Sequence, residues 1–527
     1  MNMTQEGKLL FESAEWDFDT LRRIQEACEA IALPEFGLSV YPNQLEVVTT
    51  EQMLDAYAST GLPLFYKHWS FGKHFLYHDR LYRTGRKGLA YEMVINSSPC
   101  ISYLMEENTA TMQTLVIGHA AYGHNHFFKN NYLFKEWTDA EGILDYLEYA
   151  KGFIAQCEDL YGEREVERLL DAAHALMSHG VFRYKGKRRL DLRKEEKRAI
   201  LRAQEAERNY NDLWEHTVPA AAAKSTTELQ EQQRRSLLGL PEENILYFLE
   251  KKSPKLKVWQ REILRIVRHV AQYFYPQSQT KIMNEGCATY VHYGIMERLH
   301  QRGQISDGNF QEFLISHTNV ITQLPFNHEY FSGWNPYALG FAMMQDIERI
   351  VSGKDPLTGL PCTDEERQEH REWFPDIAEK GDVMGILRDA WANYRDESFI
   401  SQFLSPRLMR NFRMFYLEDD PERTTGILVR KIHNEYGYRD IRHQFSTLHN
   451  VGHAIPSIEI VDVDLMGDRR LELQHKVVNG TYLYKNDLDR VLKHLADLWG
   501  YQVRLTEVDE GNGSRQHTSD PNNPPVF

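Results

Sequence analysis

Three histidines fall within eight residues, His119, His124 and His126, in the stretch Val116-Ile-Gly-His119-Ala-Ala-Tyr-Gly-His124-Asn-His126-Phe-Phe-Lys-Asn-Asn131. Imidazole is costly to bury unpartnered and is the commonest metal ligand among side chains, so this density in a helix of core character points to a metal or acid–base site. His119 and His126, seven apart, share a helix face, whereas His119 and His124, five apart, do not on an ideal α-helix. Gly123 offers a break that would return His124 toward His119. The five-residue spacing recurs in Asp171-Ala-Ala-His174-Ala-Leu-Met-Ser-His179-Gly180. Glu285 and His292 lie on one edge of the stripe Ala288, Val291, Ile295, Leu299, and Glu262 and His269 repeat the arrangement beside Trp259, Ile263, Ile266 and Val270.

These are the donor types that suit zinc, iron or manganese with an open coordination position. His119, His124 and Glu285 are expected to hold a divalent ion, with His174, His179 or His292 completing or supporting the site. The ion would lower the pKa of a bound water, and Glu107 or Glu262 would accept its proton. Two readings follow: a metal-dependent hydrolase, or a regulatory or scaffold protein whose buried histidines serve structure, each paired to a backbone carbonyl. No HExxH is present, and Glu297-Arg-Leu-His300 is the one ExxH on a predicted helix, Glu472-Leu-Gln-His475 falling in a predicted strand, so a di-iron bundle lacks support. Neither a P-loop, a GxGxxG nor a GxSxG occurs, so no nucleotide cofactor and no serine nucleophile elbow are indicated. The aromatic segments Tyr66-Lys-His68-Trp-Ser-Phe-Gly-Lys73 and His328-Glu-Tyr-Phe-Ser-Gly-Trp334-Asn335-Pro-Tyr line a ligand cleft or pack long loops. In the first case His68, Lys73, Trp334 and Asn335 are candidate substrate contacts, as is Glu92.

The elements that must position these groups follow from periodicity. Phe18, Leu21, Ile24, Ala27, Cys28 and Ile31 predict a helix ended by Pro34, residues 89–96 a buried strand, and about 108–122 a long helix. Helical patterning continues at 257–275, 284–300, 308–318, 336–351 and 382–396. Beyond about residue 400 the period shortens: 457–465 and 470–478 read as strands, Asn479-Gly480 as a hairpin turn, 488–498 as a helix closed by Gly500, and 501–508 as a last strand. The fold class expected is α+β multidomain: a mainly α-helical domain over 1–395, an α+β domain over 396–508 and a disordered tail over 509–527. The highly charged stretch from about 185 to 237 reads as an exposed excursion, a solvated face or an interaction arm.

At 527 residues and 42% hydrophobic the chain can bury sizeable cores, which excludes general disorder. Its net charge of -15 works against a broad footprint for nucleic acid. The five cysteines show no CxxC pairing, which argues against a disulfide framework, and no run is apolar enough to span a bilayer; a cytoplasmic protein is expected.

Longer motifs carry a resemblance. Tyr66-Lys-His-Trp-Ser-Phe-Gly-Lys73, Gly88-Leu-Ala-Tyr-Glu92-Met-Val-Ile-Asn96, Tyr103-Leu-Met-Glu-Glu-Asn108, Tyr122-Gly-His124, Phe127-Phe-Lys-Asn-Asn131, Met283-Asn-Glu-Gly-Cys-Ala288 and Gly333-Trp-Asn-Pro-Tyr337 resemble the SpoVR family over most of the chain. The resemblance implies a setting in spore-cortex formation, or a stress and stationary-phase system in bacteria that make no spores. It implies a PrkA-type serine kinase and a YeaH-type protein as partners. It brings no catalytic residues with it.

Overall fold

The structure, a computed structural model, describes residues 8–58, 66, 68, 92–183, 238–419, 429–434, 437–464, 467–478, 482–509 and 513–521. The charged stretch from 185 to 237 and the Asn479-Gly480 turn lie outside the described residues.

Asp17 starts helix α1 (Phe18–Ala32) by accepting the Thr20 amide, and the predicted stripe Leu21, Ile24, Ala27, Cys28 and Ile31 is its buried face. A small sheet follows: β1 (Asn43–Val48), helix α2 (Thr50–Ala58), β2 (Glu92–Ile95) and β3 (Cys100–Met105). β3 lies in the middle, parallel to β1 and antiparallel to β2, with Glu92 opposite Leu104. Thr109 then caps α3 (Ala110–Ile117), every residue of which is buried. A helix buried on all sides belongs in the middle of a core, and its polar members are tied in: Gln113 donates to the Met105 carbonyl and Thr114 to the Ala110 carbonyl. It runs on without interruption as a π-helix (Gly118–His124) and α4 (Asn125–Asn130), followed by α5 (Tyr132–Trp137) and α6 (Ile143–Tyr161).

Helices α7 (Glu163–Ala175), α8 (Ile245–Lys252) and α9 (Val258–Gln279) lead to α10 (Lys281–Gln301), which packs on the π-helix and on α12 (Pro336–Ser352); α11 (Asp307–Val320) lies between them in sequence. The first turn of α10 is held by Asp396, whose carboxylate accepts the amides of Ile282 and Met283, each at 2.9 Å. α13 (Asp364–Trp373), α14 (Val383–Asn393), α15 (Asp396–Phe403) and α16 (Pro406–Asn411) complete the helical core, with Trp391 of α14 fully buried. An antiparallel pair, β4 (Tyr416–Asp419) and β5 (Val429–His433), follows them.

The chain divides into two compact units, and the division differs from the linear one expected. One unit holds residues 1–167 and 272–454; the other holds 168–271 and 455–527. Residues 396–454, expected in the C-terminal domain, thus pack with the helical core, through Phe399, Ile400, Phe403 and Leu408. In the second unit β6 (Ile458–Val463), β7 (Leu471–Lys476), β8 (Val503–Val508) and β9 (Ser514–Ser519) form a sheet in that order. β7 and β8 are parallel and joined through α17 (Lys485–Trp499), which Gly500 ends at φ 89°. A parallel pair needs such a crossover. The tail expected to be disordered from residue 509 is corrected over 514–519: β9 pairs antiparallel along the whole of β8, whose edge would otherwise be open. Among the described residues no helix is long and apolar enough to cross a membrane.

Candidate metal centre

The five-residue spacing of His119 and His124 is resolved by a wider helix, and the break expected at Gly123 does not occur. Backbone bonds of the i→i+5 type run through Gly118–His124, and the Asn125 amide donates to Ala120. In such a turn residues five apart stand one above the other, so both imidazoles face one side; π-turns of this kind recur at functional sites. Their ring centroids are 4.6 Å apart.

Gly123 is glycine because α10 passes against it: a Cβ there would lie 2.5 Å from Ala288 Cα and 3.2 Å from the Ala288 carbonyl. Farther along α10, Gly286 and Gly340 of α12 meet backbone to backbone, a Cβ on Gly286 falling 2.6 Å from the Gly340 carbonyl carbon. These two approaches set Glu285 of α10 and Tyr337 of α12 beside the two imidazoles.

Four donors converge. His119 Nε2 lies 3.1 Å from Glu92 Oε1 and 3.7 Å from Glu285 Oε2, and His124 Nε2 lies 3.9 Å and 3.5 Å from the same atoms. The imidazoles are 4% and 8% exposed and both carboxylates 16%, so the acids form the more open side. The ligand atoms of Glu92, His119 and His124 all lie within 4.8 Å of one another. At 3.7 Å, His119 Nε2 and Glu285 Oε2 are buried with no close hydrogen bond to match them. Donors held about 2.0–2.2 Å from one ion are separated by such distances and aimed at a shared point. Buried polar atoms left unmatched in this way call for a water or an ion between them.

The far sides of the rings fix their orientation. His124 Nδ1 meets Asn284 Oδ1 at 2.9 Å, which makes that nitrogen the N–H donor and leaves Nε2 as a lone pair facing the carboxylates. His119 Nδ1 meets His292 Nδ1 at 2.8 Å, and His292 Nε2 meets His317 Nδ1 at 3.0 Å. Tyr337 stacks on His119 with ring centroids 6.1 Å apart and its hydroxyl hydrogen-bonds Glu285.

Burial, reinforced by the Glu285 charge, pushes the Glu92 carboxyl well above its usual range. Burial also acts to raise Glu285, but His119, His124 and the Tyr337 hydroxyl outweigh it and hold that carboxyl below its ordinary value. Two carboxylates this close share a proton unless a cation joins them. Burial, with His124 beside it, lowers His119 to about 4 against the pull of Glu285. His292 is lowered well below 6.5 by burial and then by His119, His317 and His124. His317 is lowered to about 4, again by burial first. His119, His292 and His317 are therefore neutral at pH 7, the state a metal requires of a ligating imidazole.

The other expected site residues have these settings. Glu107 is exposed and accepts the Thr50 hydroxyl at 2.6 Å, and Glu262, in the second unit, pairs with Arg265 at 3.0 Å. His174 and His179 also belong to the second unit, where the Arg183 guanidinium meets His179 Nδ1 at 3.3 Å and burial lowers that ring to about 3. Asn335 spends its side chain capping α12, accepting the Tyr337 amide and donating to the carbonyls of Val320 and Thr322. Trp334 packs edge-on against Phe331 and Phe412. His68 is buried, and Lys73 lies outside the described residues. Glu92, expected to touch substrate, lies in the cluster with His119 and His124. Asn284, His317 and Tyr337 were not singled out by sequence; His317, four residues after Phe313 on a buried helix face, carried the one readable signal.

The family description "SpoVR like protein" matches residues 15–454, and "SpoVR-like C-terminal domain" matches residues 456–510. The chain belongs to the SpoVR family. A SpoVR-family relative from Escherichia coli (strain K12), "Uncharacterized protein YcgB", is 48% identical over 509 residues, covering 97% of this chain and 96% of the relative. No solved structure matches. The boundary between the two SpoVR matches falls at the point where the second compact unit resumes, residue 455.

Proposed function

We propose that this SpoVR protein is a metal-dependent hydrolase whose ion is held by Glu92, His119 and His124, with Glu285 as general base. The observation that supports the reading is the convergence of two buried imidazoles and two partly buried carboxylates, with ligand atoms 3.1–3.9 Å apart across the imidazole–carboxylate pairs. Two imidazoles and one carboxylate with an open position are the ligand set of many hydrolytic zinc sites. When bound, a divalent ion there would supply Lewis acidity and a water acidified toward neutrality.

The remaining work falls to the chain's own residues. Glu285, within 3.7 Å of both ligating nitrogens, accepts a proton at Oε2. The Tyr337 hydroxyl, hydrogen-bonded to that carboxylate, orients it. Asn284 holds the His124 ring. The scaffold reading requires imidazoles paired to backbone: His126, meeting the Ser39 amide and carbonyl, is of that kind, and His119 and His124 are not. We take the substrate to be carbohydrate- or peptide-like and cytoplasmic, and the PrkA-type kinase and YeaH-type protein to be partners in one stress system, as the family resemblance implies.

Loading the full chain with cobalt(II) and adding acetohydroxamate tests the reading. Visible bands that shift on addition indicate an exchangeable coordination position. Bands indifferent to hydroxamate and azide would mean a closed, structural centre and would end the hydrolase proposal.

A further inference from the structure

Three imidazoles stand in line from His119 inward, one each from the π-helix, α10 and α11. His119 Nδ1 and His292 Nδ1 are 2.8 Å apart, and His292 Nε2 and His317 Nδ1 are 3.0 Å apart. All three residues are at most 4% exposed. Phe313 lies edge-on to His292, and Phe341 and Tyr293 pack on His317. The site itself needs His119; it does not explain why two further histidines are buried in an aromatic setting at hydrogen-bond distance.

Tautomer logic supplies a reason. A neutral imidazole has one N–H and one lone pair, so each nitrogen–nitrogen contact needs a proton on one side and none on the other. Two arrangements satisfy both contacts. In the inward one His317 donates to His292, His292 donates to His119, and the His119 proton sits on Nε2, facing Glu92 and Glu285. In the outward one His119 donates from Nδ1, His292 donates from Nε2, and His119 Nε2 is a bare lone pair. Only the outward arrangement can bind a cation through Nε2.

We propose that His292 and His317 are positioning residues that hold His119 in its metal-binding tautomer, acting as a chain of acceptors running away from the centre. The inference rests on the metal reading above and adds to it a defined polarity for the chain. Orienting partners of metal-bound histidines are usually carboxylates or carbonyls, and losing one costs about 10–100-fold in affinity. An imidazole in that place differs in being reversible: it can accept or donate, so the same contacts stay satisfied with and without the ion.

The test is the zinc affinity of the full chain, measured by chelator competition for wild type, His292→Phe and His292→Gln. Glutamine can accept from His119 through its carbonyl and donate to His317 through its amide; phenylalanine keeps the ring and loses both. The proposal expects about 10–100-fold weaker zinc binding for His292→Phe and recovery to within about threefold of wild type for His292→Gln. Packing alone predicts the reverse order, and that order would overturn the proposal. If wild type binds zinc and His292→Phe binds it equally, the positioning role falls while the metal reading stands; if wild type binds none, both fall. Should His292→Phe not fold, selective 15N-histidine spectra of zinc-loaded wild type decide the matter. His119 protonated at Nδ1 and His292 at Nε2 supports the chain, and His292 protonated at Nδ1 refutes it.

Discussion

Gly123→Ala is the substitution whose consequence follows most directly from the packing. A methyl group at this position would lie 2.5 Å from Ala288 Cα, 2.9 Å from Ala288 Cβ and 3.2 Å from the Ala288 carbonyl oxygen. Ordinary carbon–carbon contact is about 3.5–4.0 Å, so the π-helix and α10 must separate by roughly 1 Å. The obstacle is backbone, which no rotamer change can move aside. Overpacking of this kind costs about 1–3 kcal/mol. The same displacement falls between His124 on one helix and Glu285 on the other, and catalytic constellations tolerate only about 0.5 Å. Gly123→Ala is therefore expected to lower the urea midpoint and to weaken zinc binding together. Gly152→Ala is the control: it lies on an exposed face of α6 with nothing within 4 Å of a Cβ, and should gain about 0.5–1 kcal/mol of stability with zinc binding unchanged. A Gly123→Ala protein as stable as wild type and equal in zinc affinity would show that the close approach of these helices does not set the site.

Acid should destabilise the metal-free protein early. His119, His126 and His317 are lowered to about 4, and His292 well below 6.5, all chiefly by burial, so the folded state stays neutral where the unfolded chain takes up protons. Their contribution is full above pH 6.5 and is lost as pH falls toward 4, at about 1.4 kcal/mol per pH unit for each ring. Glu92 and Asp396, the latter raised to about 7, work in the opposite sense, against these four rings and His179, lowered to about 3; a urea midpoint that stays flat from pH 7.5 to 5 would contradict this. Asn335→Ala removes the cap of α12 and two backbone tethers, an expected loss of about 1–2 kcal/mol readable in the same titration, and an unchanged midpoint would contradict it. Glu107→Gln should leave metal content and zinc affinity at wild-type values, since this exposed carboxylate is engaged by the Thr50 hydroxyl; loss of metal would return that residue to the site.

The helices were readable where one apolar face sufficed. The stripe of α1, the α10 stripe Ala288, Val291, Ile295 and Leu299, and the Leu-rich face of α17 each bury as their spacing predicts. The π-helix was not readable, because one extra residue per turn leaves no mark in a stretch buried on every side; its only trace was a histidine pair with the wrong spacing. The place of Glu92 beside the imidazoles was hidden for a related reason. A glutamate entering a strand of alternating burial looks like a surface or substrate-facing group until antiparallel pairing with β3 fixes where the strand runs. Conversely, the spacing of His174 and His179 copied that of His119 and His124 without the π-turn that makes the latter converge: α7 ends at Ala175 and a 3-10 turn carries His179. The division of the chain was hidden because the second unit is assembled from two separated segments, and periodicity carries no information on which distant segments pack together.

The central claim is that Glu92, His119 and His124 bind a divalent ion. Elemental analysis of untagged protein purified without chelator, beside His119→Ala, Glu92→Ala and Glu107→Ala variants, tests it most directly. The account predicts near-stoichiometric zinc, iron or manganese in wild type and Glu107→Ala, and its loss in the other two. Folded wild-type protein that carries no metal and takes up none of the three from buffered solution would contradict it, as would metal retained in full by both His119→Ala and Glu92→Ala.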